Sequence, residues 1–445
     1  MNAPGAGTPA APGDAAAVPA GALEPVEDGR AVRLPGFVNA HSHAFHRALR
    51  GVSELAGGDF WTWRSLMYEV ADRLDPDSYR ELATLVYVEM LLAGFTTVGE
   101  FHYLHHGPGG TPYADPNEMT FALVEAAASA GIRLTLLDAC YLQASAGGEP
   151  LEGTQLRYSD GDGDRFSRRV TAALETGRFL NEGREMTGGP GELRPRLGVA
   201  IHSVRAVPPR SMTSVAAWAG EESAPLHVHL SEQRKENEDC LAATARTPTD
   251  LLASAGALTA HTTAIHSIHL TAYDVARQGL AGCGVCACPT TERDLGDGIG
   301  PFASLAEAGA TLCIGSDSHA VIDPFEELRG LEYHQRLAEE RRGIMSLAGL
   351  LEAGTNGGGR ALGWSEAERA GDSVTIRLDG SPALAAGGDG PDALLARVLY
   401  AASAADVASV TVAGRPVVED GEHRTFGPRK AIASRLEQAI RRLLA

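Results

Sequence analysis

The sequence predicts an α/β fold: a TIM (β/α)8 barrel with a small β-sandwich appendage formed by the two chain ends. Three observations carry that expectation. Eight short apolar runs recur between Val38 and His319, with helical segments between them. Several of them hold continuous Val, Ile, Leu or Cys stretches, the pattern of a parallel strand buried on both faces. Each then ends in polar or ionisable residues, as barrel strands do where their C-terminal ends open into a site.

In chain order, residues 1–22 (MNAPGAGTPAAPGDAAAVPAGA) are rich in Ala, Gly and Pro, lack apolar periodicity and read as a disordered tail. They also lack the basic start and apolar centre of a signal peptide. Residues 37–365 hold the barrel, with its strands at VNAHSHA, FTTVGEFHY, IRLTLLDACYL, RLGVAIHSV, PLHVHLSE, TAIHSIHL, CGVCACPTTE and ATLCIGSDSH. Gly-, Ser- and Asp-rich stretches at 144–165 and 181–193 read as long loops. Residues 23–36 and 366–426 form the small β domain, because SVTIRLDG and VASVTVAGRPVVEDGEHRTFG read as strands joined by glycine-containing turns. Residues 427–445 close the chain with an amphipathic helix, ASRLEQAIRRLLA, whose apolar stripe is expected to pack on the body.

Composition narrows the partners. With 44% hydrophobic and 21% charged residues among 445, the chain can bury a sizeable core. A net charge of −19 argues against nucleic acid and anionic membrane, neither of which would gain from counterion release. A small anionic ligand must therefore meet arginines placed locally. No run approaches the roughly 20 consecutive apolar residues of a membrane span, so a cytoplasmic protein is expected, and a homodimer is compatible with it. The six cysteines do not make a disulfide framework in so long a chain. Cys283, Cys286 and Cys288 lack a second CxxC or a histidine pair to complete a zinc motif and read as core residues.

The strand ends collect His41, His43, Glu100, His202, His229, Glu232, His266 and Asp317. In His41-Ser42-His43, the period of two along a strand sends both imidazoles to one side, which makes a metal half-site. His229 in HVHLSE and Asp317 in IGSDSH can complete it across the barrel mouth. Alone, His229 would pass for a core histidine and Asp317 for a helix N-cap; together with HSH they make a ligand set. One divalent metal is expected. Zinc suits mixed nitrogen and carboxylate donors and lowers the pKa of water to about 7, while iron(II) or manganese would accept the same ligands. A two-metal site bridged by a carboxylated lysine is excluded, since the only lysines are Lys235 and Lys430 and neither ends a strand. Glu232, three residues past His229, can carry a proton to a leaving nitrogen, and His266 with Asp317 can orient and deprotonate the attacking water.

The order HSH, HVHLSE, AIHSIH and GSDSH resembles the cytosine-deaminase-like branch of the amidohydrolase superfamily across the whole barrel. PGFVNAHSHAFHRALRG, DFWTWRSLMY, TTVGEFHYLHH, AIHSVRAV, HVHLSEQRKE, CPTTERDLGDG and FEELRGLEYHQR resemble, more narrowly, the formimidoylglutamate deiminases. That resemblance implies His41, His43, His229 and Asp317 as ligands and Glu232 and His266 as acid and base. It also implies a substrate pocket built from Arg64, Tyr103, His202 and Arg205. At His46 the family usually has glutamine, so here an imidazole replaces a carboxamide at a substrate-facing position. The implied reaction is hydrolysis of N-formimino-L-glutamate to N-formyl-L-glutamate and ammonia by a metal-activated hydroxide, in histidine degradation. Two other readings stay open at this point: a relative deaminating a purine, pterin or guanidino compound, and a non-catalytic assembly or binding relative. The first would need stacking aromatics in place of two guanidinium groups; the second would be expected to have lost ligands, and none is missing.

Overall fold

The computed structural model describes residues 23–445 except 27–28, 58–59, 180–192, 386–387 and 389. The expected tail (1–22) and almost all of the expected loop at 181–193 lie outside the described residues. The chain opens with β1 (Glu24–Val26) and β2 (Ala31–Pro35). The eight apolar runs then become β3 (Phe37–Ser42), β4 (Phe95–His102), β5 (Arg133–Cys140), β6 (Arg196–Ser203), β7 (Leu226–Leu230), β8 (Thr262–His266), β9 (Gly284–Ala287) and β10 (Thr311–Ile314). They lie side by side in chain order as one parallel sheet of eight strands.

Closure comes from the chain just beyond β10. The Asp317 N–H donates to the His41 carbonyl at 3.0 Å, and the His43 N–H donates to the Asp317 carbonyl at 3.2 Å. The ring is therefore sealed by the HSH and SDS segments themselves. Gly315 makes that approach feasible: a Cβ there would stand 2.7 Å from the His41 Cβ and 2.9 Å from its carbonyl oxygen. The barrel interior is filled by small and sulfur-bearing groups, Ala40, Ile265, Cys286, Cys288 and Cys313, all buried. The six cysteines are all buried and free, as apolar core groups.

The helix Pro76–Ala93 shows how local sequence sets the connections. Asp75 caps it in a reciprocal box with Ser78, Pro76 pre-sets its first turn, and Gly94 at φ 105° ends it and feeds β4. After the barrel come β11 (Ser373–Arg377), β12 (Val407–Val412), β13 (Arg415–Glu419) and β14 (Glu422–His423). With β1 and β2 they form one antiparallel sheet of six strands, in which β2 pairs with β11 and so joins the two chain ends. Helix Pro76–Ala93 packs on this sheet, and the terminal helix Arg429–Leu444 lies against that helix in turn. An Arg442–Glu81 ion pair at 2.6 Å and an Arg429 hydrogen bond to the Leu92 carbonyl at 2.9 Å hold it there.

The stretch 144–165 is more ordered than its Gly/Ser/Asp composition suggests. It contains a short helix, Gly153–Tyr158, whose Arg157 is fully buried. The Arg157 guanidinium donates to the carbonyls of His106 (2.9 Å), Leu74 (2.7 Å) and Ala71, so one side chain pins this segment to the loop after β4. Among the described residues no helix is long and apolar enough to cross a membrane.

Candidate metal centre and active-site pocket

His41 and His43 stand one residue apart on either side of Ser42 at the end of β3, and the two-residue period turns both rings to the barrel axis. His229 projects from β7 and Asp317 from the turn beyond β10, where φ is 40°. A left-handed aspartate costs energy, and such strain is characteristic of functional turns. The donors converge. His229 Nε2 lies 3.1 Å from His41 Nε2 and 3.3 Å from His43 Nε2, while Asp317 Oδ1 lies 3.2 Å from His41 Nε2 and 3.4 Å from His43 Nε2.

Second contacts fix which nitrogen faces inward. His43 Nδ1 donates to the Phe101 carbonyl and His229 Nδ1 to the His202 carbonyl, each at 2.8 Å. A carbonyl can only accept, so both rings carry their proton on Nδ1 and turn an Nε2 lone pair to the centre. Lone pairs facing one another at this distance repel unless a cation lies between them. Burial, the largest influence, lowers the pKa of all three histidines, with His43 and His229 well below the usual range, and keeps them neutral. Burial, the largest single influence, would raise Asp317, but His41, His266 and His43 together outweigh it and hold the carboxylate below its usual range. Ligands about 2.1 Å from one ion, arranged near-tetrahedrally, stand about 3.4 Å apart. The observed spacings and the donor set therefore fit one divalent cation.

Next to this quartet, His266 Nε2 lies 3.7 Å from Asp317 Oδ2 and 3.8 Å from Glu232 Oε1. Its other nitrogen faces Glu292 Oε1 at 3.4 Å. Burial would lower the His266 pKa, yet the fields of Glu232, Glu292 and Asp317 push it up to about 10, a field that a divalent cation at Asp317 would oppose. Burial raises Glu232, so its carboxyl holds a proton more readily than an exposed glutamate. Glu100 is fully buried and accepts from the Ser42 hydroxyl and the Ala44 N–H, both at 2.7 Å, which anchors the HSH turn; burial pushes it up to about 8.

One cleft joins these groups to the remaining residues singled out in the sequence: His46, Arg64, Tyr103, His202 and Arg205 all line it. The His202 ring meets Tyr103 at 5.2 Å and Tyr141 at 4.5 Å. Arg64 donates to the Tyr68 hydroxyl at 2.6 Å and lies over the rings of Trp61 and Tyr68. The Arg205 Nε is buried without a hydrogen-bond partner. Among the described residues neither arginine makes an ion pair.

Sequence reasoning gave no role to Glu292, Glu236 or Tyr68. Glu236 lines the cleft and accepts from the N–H groups of Ser231 (3.3 Å) and Glu232 (3.2 Å), thereby fixing the backbone that carries Glu232; burial pushes it up to about 7 against the nearby Arg205. Its signal was present in the four-residue spacing of HLSEQRKE, which sets Glu236 one turn into a helix, facing back. Another cluster of potential ligands, His102, His105 and Asp138, is used differently. Arg169 binds both Asp138 oxygens, at 2.7 and 2.9 Å, and supplies the positive charge a cation would otherwise bring.

Comparisons with known proteins give the family. The amidohydrolase family model matches residues 32–417. Formimidoylglutamate deiminase of Pseudomonas aeruginosa is 40% identical over 402 residues, covering 88% of this chain and 85% of that protein. An 8-oxoguanine deaminase of the same species is 32% identical over 344 residues, covering 76% of this chain and 71% of that one. The crystal structure of an amidohydrolase from Brucella melitensis superposes with a TM-score of 0.80 at 35% identity, over 93% of this chain and 90% of the other.

Proposed function

The chain belongs to the amidohydrolase family, and on that premise we propose that it hydrolyses N-formimino-L-glutamate to N-formyl-L-glutamate and ammonia. The observation that carries the choice of substrate is the pair Arg64 and Arg205. Two guanidinium groups line the cleft beside the four-donor cluster in a protein of net charge −19, and neither is tied up in a close ion pair, although Arg205 lies near Glu236 and Glu232. A dianion would otherwise be repelled, and arginine can grip a carboxylate through two parallel hydrogen bonds. The aromatic lining does not speak for a stacked purine. Trp61 and Tyr68 support Arg64, and Tyr141 packs on His202.

His41, His43, His229 and Asp317 would hold one divalent ion, zinc by the chemistry of the donors. When bound, that ion supplies a Lewis acid that acidifies water near neutral pH. Asp317 and His266, 3.7 Å apart, orient the attacking water and take up its proton. Water adds to the formimino carbon, and Glu232 delivers a proton to the nitrogen that leaves as ammonia. His202 contacts the formimino group, while Arg64, Arg205 and Tyr103 fix the carboxylates. We assign the reaction to histidine degradation in the cytoplasm.

Turnover in H2 18O tests this reading. The reaction as written places one solvent oxygen in the formyl group and releases ammonia. Formation of glutamate and formamide, or unlabelled product, would mean that a different bond is broken.

A further inference from the structure

We propose that His46 is a positioning residue that acts through Tyr103: its Nε2–H donates to the phenolic oxygen and so commits the Tyr103 hydroxyl proton to the pocket. The corner formed by Tyr103 and the two arginines then becomes a receptor made only of donors. This deepens the reading of the pocket as a carboxylate site and rests on it.

The first support is the fate of the two ring nitrogens. His46 Nε2 lies 2.7 Å from the Tyr103 oxygen, while His46 Nδ1 is buried and has no hydrogen-bond partner. A neutral imidazole carries one N–H. If that proton sat on Nδ1, the structure would contain a buried orphan donor, and the Tyr103 proton would be spent on Nε2. With the proton on Nε2, the only orphan is a bare acceptor. Buried orphan N–H groups are rarer than under-satisfied acceptors, and an unmade buried hydrogen bond is costly, so the Nε2–H form is favoured.

The second support is independent of the histidine. The Tyr103 hydroxyl donates to Met67 Sδ at 3.6 Å, which leaves its oxygen to accept from His46. A thioether is a weak acceptor, and a ligand carboxylate oxygen would displace it readily.

Packing explains why His46 works at one remove. Its ring is wedged against His43 at 4.5 Å, Phe45 at 4.4 Å and Trp63 at 5.0 Å, with Nε2 already engaged. Of its two nitrogens only the buried Nδ1 is unengaged. The consequence is selectivity. Arg64, Arg205 and an oriented Tyr103 hydroxyl all donate, and a carboxylate only accepts. A carboxamide at the same place would set its own NH2 against a donor. Glutamine in place of His46 could turn its oxygen to Tyr103, accept that proton and relax the discrimination.

Imidazole 15N spectra of the metal-loaded, substrate-free protein, labelled at histidine and with His46 assigned by comparison with His46→Gln, decide the point. The expected result is a protonated Nε2 and an unprotonated Nδ1; the opposite tautomer would overturn the proposal. Kinetics give the second arm. Tyr103→Phe and His46→Phe should each lower kcat/KM for N-formimino-L-glutamate by about 10-fold or more, mainly through KM. The double variant should be no worse than Tyr103→Phe within about threefold, whereas additive losses would mean that His46 acts by another route. Preference for the substrate over its carboxamide should shrink in His46→Gln, and an unchanged preference would count against the donor-only corner. If the wild type does not turn over N-formimino-L-glutamate at all, the substrate assignment fails while the spectra still judge His46.

Discussion

Asp317→Ala should lower kcat by at least about 1,000-fold and leave the protein unable to retain a full equivalent of divalent metal. The side chain does two jobs that no neighbour can take over. Its Oδ1 closes the donor set at 3.2 Å from His41, and its Oδ2 faces His266 at 3.7 Å. Elemental analysis should find one divalent ion per wild-type chain, and two ions per active chain would contradict the single centre. Glu232→Gln provides the contrast. It keeps size and hydrogen bonding but removes the transferable proton, so turnover should fall while metal content stays normal. Loss of metal in that variant would make Glu232 a ligand, and near-normal turnover of Asp317→Ala would pass its role to another carboxylate.

Arg205→Met should lower kcat/KM for N-formimino-L-glutamate by about 100-fold or more, because losing one member of a desolvated charge-assisted pair costs about 2–5 kcal/mol. The Arg205 Nε is buried and without a partner, so in the free protein the guanidinium is already stripped of water on that side and poised for an anion. Esterifying the substrate carboxylates should erase most of the difference between wild type and variant. An unchanged kcat/KM for the free acid would remove Arg205 from substrate binding.

The barrel was legible because eight short, largely apolar segments recur between helical stretches and most of them end in a residue that can do chemistry. That pattern survives without any knowledge of tertiary contacts. The convergence of His41, His43, His229 and Asp317 was legible for the same reason: HSH, HVHLSE and GSDSH put these residues at strand ends, where the fold makes them meet. The supporting groups were hidden because their roles depend on register and packing. Glu100 anchors the HSH turn only because it stands beside Ser42 in the β3–β4 ladder. Glu292 meets His266 from a helix that begins past a neighbouring strand. The helix Gly153–Tyr158 defied its glycine- and serine-rich surroundings because buried Arg157 binds carbonyls far away in sequence. His46 was visible as a departure three residues past His43, but its partner Tyr103 is contributed by the segment after β4.

In the proposed function this pocket receives a dicarboxylate carrying a formimino group. Ammonia release by the metal-loaded protein tests it most directly, with N-formimino-L-glutamate offered beside 8-oxoguanine, adenosine and a set of guanidino compounds. N-formimino-L-glutamate should be hydrolysed with a kcat/KM at least about 100-fold above every competitor, the margin that two arginine–carboxylate pairs can supply. A purine or guanidino compound hydrolysed faster than N-formimino-L-glutamate would contradict it, and would leave Arg64 and Arg205 to be explained by another ligand.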